Sequence, residues 1–302
     1  MLQLPRVSEF LQQLLNGLSL GAIYALIALG YTMVYGVLRF INFAHSDVFM
    51  VGAFIGYYAG QHLPQNTVWG GLIVLIIAML GCALLGMLIE RLAYRPLRGA
   101  ATLNVLITAI GVSLLLEYSG QVFFGATPRT FPAVFMSTNI TLGGLVISSN
   151  QILVIVVTAL LMLGLQFIVY RTKIGTAMRA VSLNPKAAQL VGVNNDVVIS
   201  FTFGLGSALA GAGGILYALN YPSIDPLMGV MPGLKAFVAA VLGGIGNIPG
   251  AALGGLLLGI VETFVNGSQW STYKDAIAFA ILIIILLFRP AGLLGKFTVE
   301  KV

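Results

Sequence analysis

Two sets of residues in this sequence have the types and spacing to act on a solute or on a partner. The first is the polar run Asn42, His45, Ser46 and Asp47, within RFINFAHSD at 39–47, together with Lys235 between Gly233 and a long apolar run. An ionisable group at the bilayer centre costs about 3 kcal/mol unless it is paired or wetted. Such a run therefore either borders a polar route through the membrane or sits at the interface, where His45 and Asp47 cap a helix and stay hydrated. Arg39 and Asn42 also suit an interface, and Lys235 has a stem long enough to snorkel outward, so both alternatives stand. Glu117 and Glu262 read as residues at span ends, Glu117 with a structural use and Glu262 at the interface.

The second set is Asn184, Pro185, Lys186, Ala187, Ala188, Leu190 and Gly192, with Arg179 just upstream. Asn184 suits an N-cap, Pro185 the first helical position and Gly192 the left-handed stop. The helix between them has barely two turns and does not hold itself together in water. Flanking segments or a partner must hold it, and Ala187, Ala188, Leu190 and Val191 form its small apolar surface. Other chemistries lack their residues. Gly295-Lys296 is followed by Phe297 and has no upstream glycine at phosphate-loop spacing. His45 and His62 lie 17 apart outside any metal-binding pattern, so no metal site is expected. Cys82, the single cysteine, sits in an apolar run and implies neither a disulfide nor a ligand. No nucleophile–base pair stands out, so no catalytic residue is assigned.

The elements that must position these residues are membrane spans. Of 302 residues 59% are hydrophobic and only 8% charged, with mean hydropathy +1.00, against about 25% charged in soluble domains. The net charge of +6 lies in short loops, as membrane orientation requires, so nucleic acid is not an expected partner. Residues 1–10 hold Arg6 and Glu9, and the apolar run after them shows no cleavage site, so it is expected to be retained. Spans are expected at 11–38, with Gly17 and Gly21 at GxxxG spacing, and at 48–89 divided by a loop at 62–66. Further spans are 99–116, 142–170, 198–219, 236–261 broken at 243–250, and 272–288, giving about eight or nine crossings. Arg91, Arg95 and Arg98 place one loop in the cytoplasm. Arg171, Lys173, Arg179 and Lys186 do the same for 171–197, and Arg289, Lys296 and Lys301 for the C-terminus. Nine crossings put the N-terminus outside, and residues 118–139 form an outside loop lying against the bundle. Gly52, Gly56 and Gly60, like Gly206, Ala210 and Gly214, recur every four residues and mark close helix packing. Short glycine-interrupted segments at 42–60 and 225–246 occupy similar places in the two halves, the pattern of a site between repeats.

RFINFAHSDVFMVGAF (39–54), RAVSLNPKAAQLVGVNNDVVISFTFGLGSALAGAGGILYAL (179–219) and LKAFVAAVLGGIGNIPGAALGGLLLGIVE (234–262) resemble permease subunits of bacterial branched-chain amino-acid ABC transporters, closest to the H-type subunit. Ser46 stands where that resemblance expects glycine. What the resemblance implies is an all-α polytopic protein of the inner membrane, residues 1–302 forming one permease domain with short broken or re-entrant helices. Loop 171–197 would be its cytoplasmic coupling element, with Asn184–Gly192 seated in a groove of an ATPase. Implied partners are a second homologous permease in a heterodimer, two cytoplasmic ATPases that bind ATP and Mg, and a periplasmic binding protein, all around a lipid-embedded chain with no cofactor. Arg179 and Lys186 would meet acidic residues of the ATPase, and Ala187 and Ala188 would allow close approach. The expected function is import of leucine, isoleucine and valine by alternating access. A permease for urea or short amides, or a passive channel without an ATPase, is the alternative.

Overall fold

In hydrocarbon each backbone N–H and C=O must find its partner within the protein, so long apolar runs become helices. The computed structural model describes residues 7–142 and 144–295. Along them run α1 (Val7–Leu38), α2 (His45–His62), α3 (Val68–Ile89), α4 (Thr102–Phe124), α5 (Ser149–Arg171), α6 (Lys173–Leu183), α7 (Pro185–Leu190), α8 (Asn195–Asn220), α9 (Val230–Gly243), α10 (Ile248–Asn266) and α11 (Lys274–Phe288). Seven helical segments are long and apolar enough to cross a membrane: α1, α3 with its extension to Leu97, α4, α5, α8, α10, and α11 with its leading turn from Ser271. The shorter α2 and α9 bring the helices available for crossing to nine among the described residues, and the protein is a multi-pass membrane protein. Short strands β1 (Arg129–Thr130), β2 (Asn139–Leu142), β3 (Leu145–Ser148) and β4 (Ser223–Ile224) make two antiparallel pairs, β1 with β4 and β2 with β3.

Several boundaries differ from the sequence expectation. The segment from His45 to His62 is one unbroken helix, and its glycines serve packing. Helix α4 starts later and runs to Phe124, which puts Glu117 in its interior. The first residues of the expected fifth span form the β2–β3 hairpin, and the helix begins at Ser149, where Ser148 and Gln151 make a capping box. The polar interval after α5 holds an additional helix, α6. The loop after α4 does pack on the bundle, burying Phe131, Val134 and Phe135. Lys296, Lys301 and Arg6 lie outside the described residues.

Helix α1 forms the centre, with α8, α9, α10 and α5 around it. Glycines let the backbones meet. A Cβ on Gly17 would fall 2.8 Å from Ile260 Cα, and one on Gly21 2.8 Å from Leu256 Cα. On the other side, a Cβ on Gly52 would fall 2.5 Å from Gly211 Cα, and one on Gly211 2.9 Å from the Ala78 carbonyl. The contacts obey a simple exchange: α1 pairs with α10 as α8 pairs with α3, α9 rests on α1 as α2 rests on α8, and α4 rests on α2 as α11 rests on α9. Ser19 accepts a hydrogen bond from Asn220 at 3.0 Å, while Gly30 lies against Gly206, so α1 and α8 run antiparallel. The units α1–α4 and α8–α11 are thus inverted copies in topology.

Candidate functional site

The run at the start of α2 is buried. Asn42 is 4% exposed, His45 and Asp47 1% each and Ser46 8%, so none of them is a hydrated interfacial group. None caps the helix either, because Ala44 holds the N-cap position without a side-chain bond. Asn42 and Asp47 are instead met from two other elements. Tyr94, on a π-helical turn (Glu90–Tyr94) that prolongs α3, donates its hydroxyl to Asn42 Oδ1 at 2.5 Å. Ser113 of α4 donates to Asp47 Oδ2 at 2.5 Å, and Glu117 lies one turn further along α4. Ser46 Oγ donates to the Phe43 carbonyl at 2.9 Å. Its Cβ occupies the space where Gly233 of α9 lacks one, which accommodates serine where glycine was expected. The His45 ring meets the edge of Tyr31 with centroids 4.7 Å apart, and its Nε2 is buried without a hydrogen-bond partner.

Lys235 does not snorkel. It is 5% exposed and its Nζ pairs with Glu262 Oε1 at 2.5 Å and Asp275 Oδ1 at 2.6 Å. Glu262, 8% exposed, is correspondingly not interfacial: α10 continues to Asn266, and Tyr24 donates to Glu262 Oε2 at 2.9 Å. This cluster opens on a cavity of about 260 Å³ lined also by Tyr217, Tyr221, Met231 and Lys274. The structure does not bring Lys235 into contact with the α2 run. Tyr24 meets the Lys235 cluster and Tyr31 meets His45, seven residues or about 10 Å apart along α1, with Phe237 set edgewise and tilted between Tyr31 and Phe43.

At the other set, the local chemistry of the short helix is as its residues specify. Asn184 Oδ1 accepts from the Ala187 N–H at 3.0 Å, Pro185 opens α7, and Gly192 has φ +87°. Two assignments change. Ala188 is 3% exposed and turns into its own fold, so it is not part of an outward surface; the apolar residues that do project are Leu183, Leu190 and Val191, at 81%, 89% and 78%. Arg179 is occupied within the chain, donating to the Val169 carbonyl and to Thr176 Oγ1 and lying 5.7 Å over the Tyr170 ring. Its charge therefore serves the carbonyl end of α5. Lys186 and Ala187 remain exposed.

Residues 90–98 are not a loop. Glu90 is fully buried, accepting from Arg98 and from Ser200 of α8, while Arg98 and Arg95 both bond Asp196. Sequence reading missed this group, because four charges within nine residues resemble a hydrated connection, and Asp196 and Ser200 lie about a hundred residues away. Among the described residues no three His, Cys, Asp or Glu side chains stand close enough to hold a metal ion.

Seven candidate crossing helices with the shorter α2 and α9, the inverted units α1–α4 and α8–α11, buried ionisable clusters and a capped knob at one end form the kind of frame on which solute permeases are built. The family described as "Branched-chain amino acid transport system / permease component" matches residues 13–286, and the chain belongs to that family. It is 44% identical over 307 residues to the high-affinity branched-chain amino acid transport system permease protein BraD of Pseudomonas aeruginosa, covering 99% of this chain and 100% of the relative. It is 41% identical over 304 residues to the permease protein LivH of Escherichia coli K12, covering 97% and 98%. A probable branched-chain amino acid transport permease protein of Methanocaldococcus jannaschii is 31% identical over 290 residues.

Proposed function

We propose that this chain is the permease subunit of an ABC importer that carries branched-chain amino acids from periplasm to cytoplasm by alternating access. The observation that carries this reading is likeness across the whole chain, 44% identity with 99% coverage, to a permease named for that transport. The subunit sits in the inner membrane beside a second homologous permease, receives its ligand from a periplasmic binding protein, and leaves ATP and Mg to two cytoplasmic ATPases. It is not itself an enzyme. Loop 171–197 and the C-terminus face the cytoplasm. The grouping of Arg95, Arg98, Arg171, Lys173, Arg179 and Lys186 around α6 and α7 supports that orientation through the excess of cations in cytoplasmic loops.

Helix α7 is the element that seats on an ATPase. Its cap makes it rigid, Asn195 holds it to the bundle through the Pro185 carbonyl at 2.9 Å, and Leu183, Leu190 and Val191 offer an apolar tip. Asn42, His45, Ser46 and Asp47 border the pathway, which reaches them along the half-exposed side of α4 at Ser113 and Glu117. A lining role for Lys235 requires its two ion pairs to open. Replacing residues 184–192 by a glycine–serine linker is expected to release the ATPase from the detergent-solubilised complex while the native chain retains it. Equal retention by both sinks the docking role, and an absent ATPase in both favours a channel. The milder Asn184→Ala costs α7 about 1 kcal/mol and is expected to weaken retention in an affinity titration without abolishing it.

A further inference from the structure

Helix α7 is joined to the start of α2 by a series of polar contacts linked through two short stretches of backbone, at Asn195-Asp196 and across residues 90–94. The Pro185 carbonyl accepts from Asn195 Nδ2 at 2.9 Å, and Asn195 is the first residue of α8. Its neighbour Asp196 accepts from Arg98 Nη1 at 2.5 Å and from Arg95. Arg98 Nη2 reaches Glu90, which also takes the Ser200 hydroxyl one turn along α8. Glu90 opens the π turn, and Tyr94 closes it by donating to Asn42 Oδ1 at 2.5 Å.

Two further features make this series more than a brace. The bodies of α3 and α8 pack in close contact, since a Cβ on Gly86 would collide with Ser207, which leaves α3 little room to shift on α8. The π turn is the piece that can change, because its wider hydrogen-bond spacing can relax to α-helical spacing, and such turns concentrate at functional positions. Beside it lies an open cavity of about 550 Å³ lined by Arg39, Tyr94, Arg98, Pro185, Asn195 and Asp196, which gives these side chains room to move. Arg98 is the only residue of the series that touches both carboxylates, and its planar fork serves two acceptors in a way lysine does not.

We infer that Arg98 is a positioning residue for transport: by bridging Asp196 and Glu90 it ties displacement of α7 to the π turn, and through Tyr94 to Asn42 and the polar start of α2. This rests on the reading of α7 as the ATPase seat. The test uses the full complex of permeases, ATPases and binding protein in proteoliposomes, comparing native chain, Arg98→Gln, Tyr94→Phe and the double variant. The readouts are ATPase retention, ATP hydrolysis and leucine taken up per ATP. Arg98→Gln is expected to keep the ATPase bound and hydrolysing while uptake per ATP falls at least tenfold. Tyr94→Phe is expected to fall several-fold, and the double variant no further than Arg98→Gln, because contacts on one line are not additive. A native uptake ratio in Arg98→Gln with the ATPase retained overturns the inference, as do losses that multiply in the double variant. Should Arg98→Gln fail to accumulate, Tyr94→Phe removes one hydroxyl and decides alone: a native ratio overturns the inference. Absence of the ATPase from the native complex would instead sink the seat assigned to α7.

Discussion

Lys235→Met is expected to lower stability by about 3–5 kcal/mol, the usual consequence of removing one partner of a buried ion pair. The lysine bridges Glu262, 8% exposed, and Asp275, whose side chain is 42% exposed. Without the ammonium group, Glu262 is left deep between α1, α9 and α10 with only the Tyr24 hydroxyl as donor, close to a second carboxylate. Asp275 can turn to water, whereas Glu262 meets it only through the cavities it lines. The melting temperature of the purified protein in detergent should drop by on the order of ten degrees. Lys235→Met combined with Glu262→Gln removes both charges and should regain half or more of that loss. If the single variant melts within two degrees of native, the ion pair is not what joins α9 to α10. A double variant as unstable as the single would locate the damage in lost packing around the lysine stem.

Gly259→Val carries the other large effect. A Cβ at Gly259 lands on the backbone nitrogen and Cα of Gly21, and no rotamer relieves a clash between two main chains. Helices α1 and α10 must part, opening the most extensive seam in the molecule. Overpacking in a close-packed interior costs about 1–3 kcal/mol, and here the cost falls at the upper end or beyond. The expected result is a chain that no longer runs as a monodisperse peak after detergent extraction. Gly164→Ala on α5 is the control, since nothing lies within 4 Å of its added Cβ and alanine favours helix over glycine by about 1 kcal/mol. Equal yields of both variants would show that the glycine seam tolerates separation.

Much of the fold was legible because membrane spans and caps are local. Apolar length marked the long helices, and Asn184, Pro185 and Gly192 placed α7 to within one residue at each end. Helix α6 was missed although Ile174, Met178 and Val181 recur at helical spacing, because its charges drew attention to the loop as a whole. The site was harder to read, since its burial is decided by partners distant in sequence. Glu90 is buried by Ser200 and Arg98, and Lys235 by Glu262, 27 residues away on another helix. A signal existed at Glu262, where Phe264 and Val265 prolong the apolar run beyond the glutamate. For Asn42 through Asp47, polarity suggested water, yet Tyr94 and Ser113 supply bonds that water would otherwise make.

The central position of α1 also sets a timetable for biogenesis. Ribosomes deliver α1 first, but α8 and α10, which cover it, emerge much later, with 209 residues between Leu38 and Ile248. At roughly 5–20 residues per second, the helix waits on the order of ten to forty seconds with its glycine stripe uncovered. During that interval it must be sheltered by lipid or by the insertion machinery, and a chain released before α10 would expose a stripe shaped to accept any small-residue helix nearby.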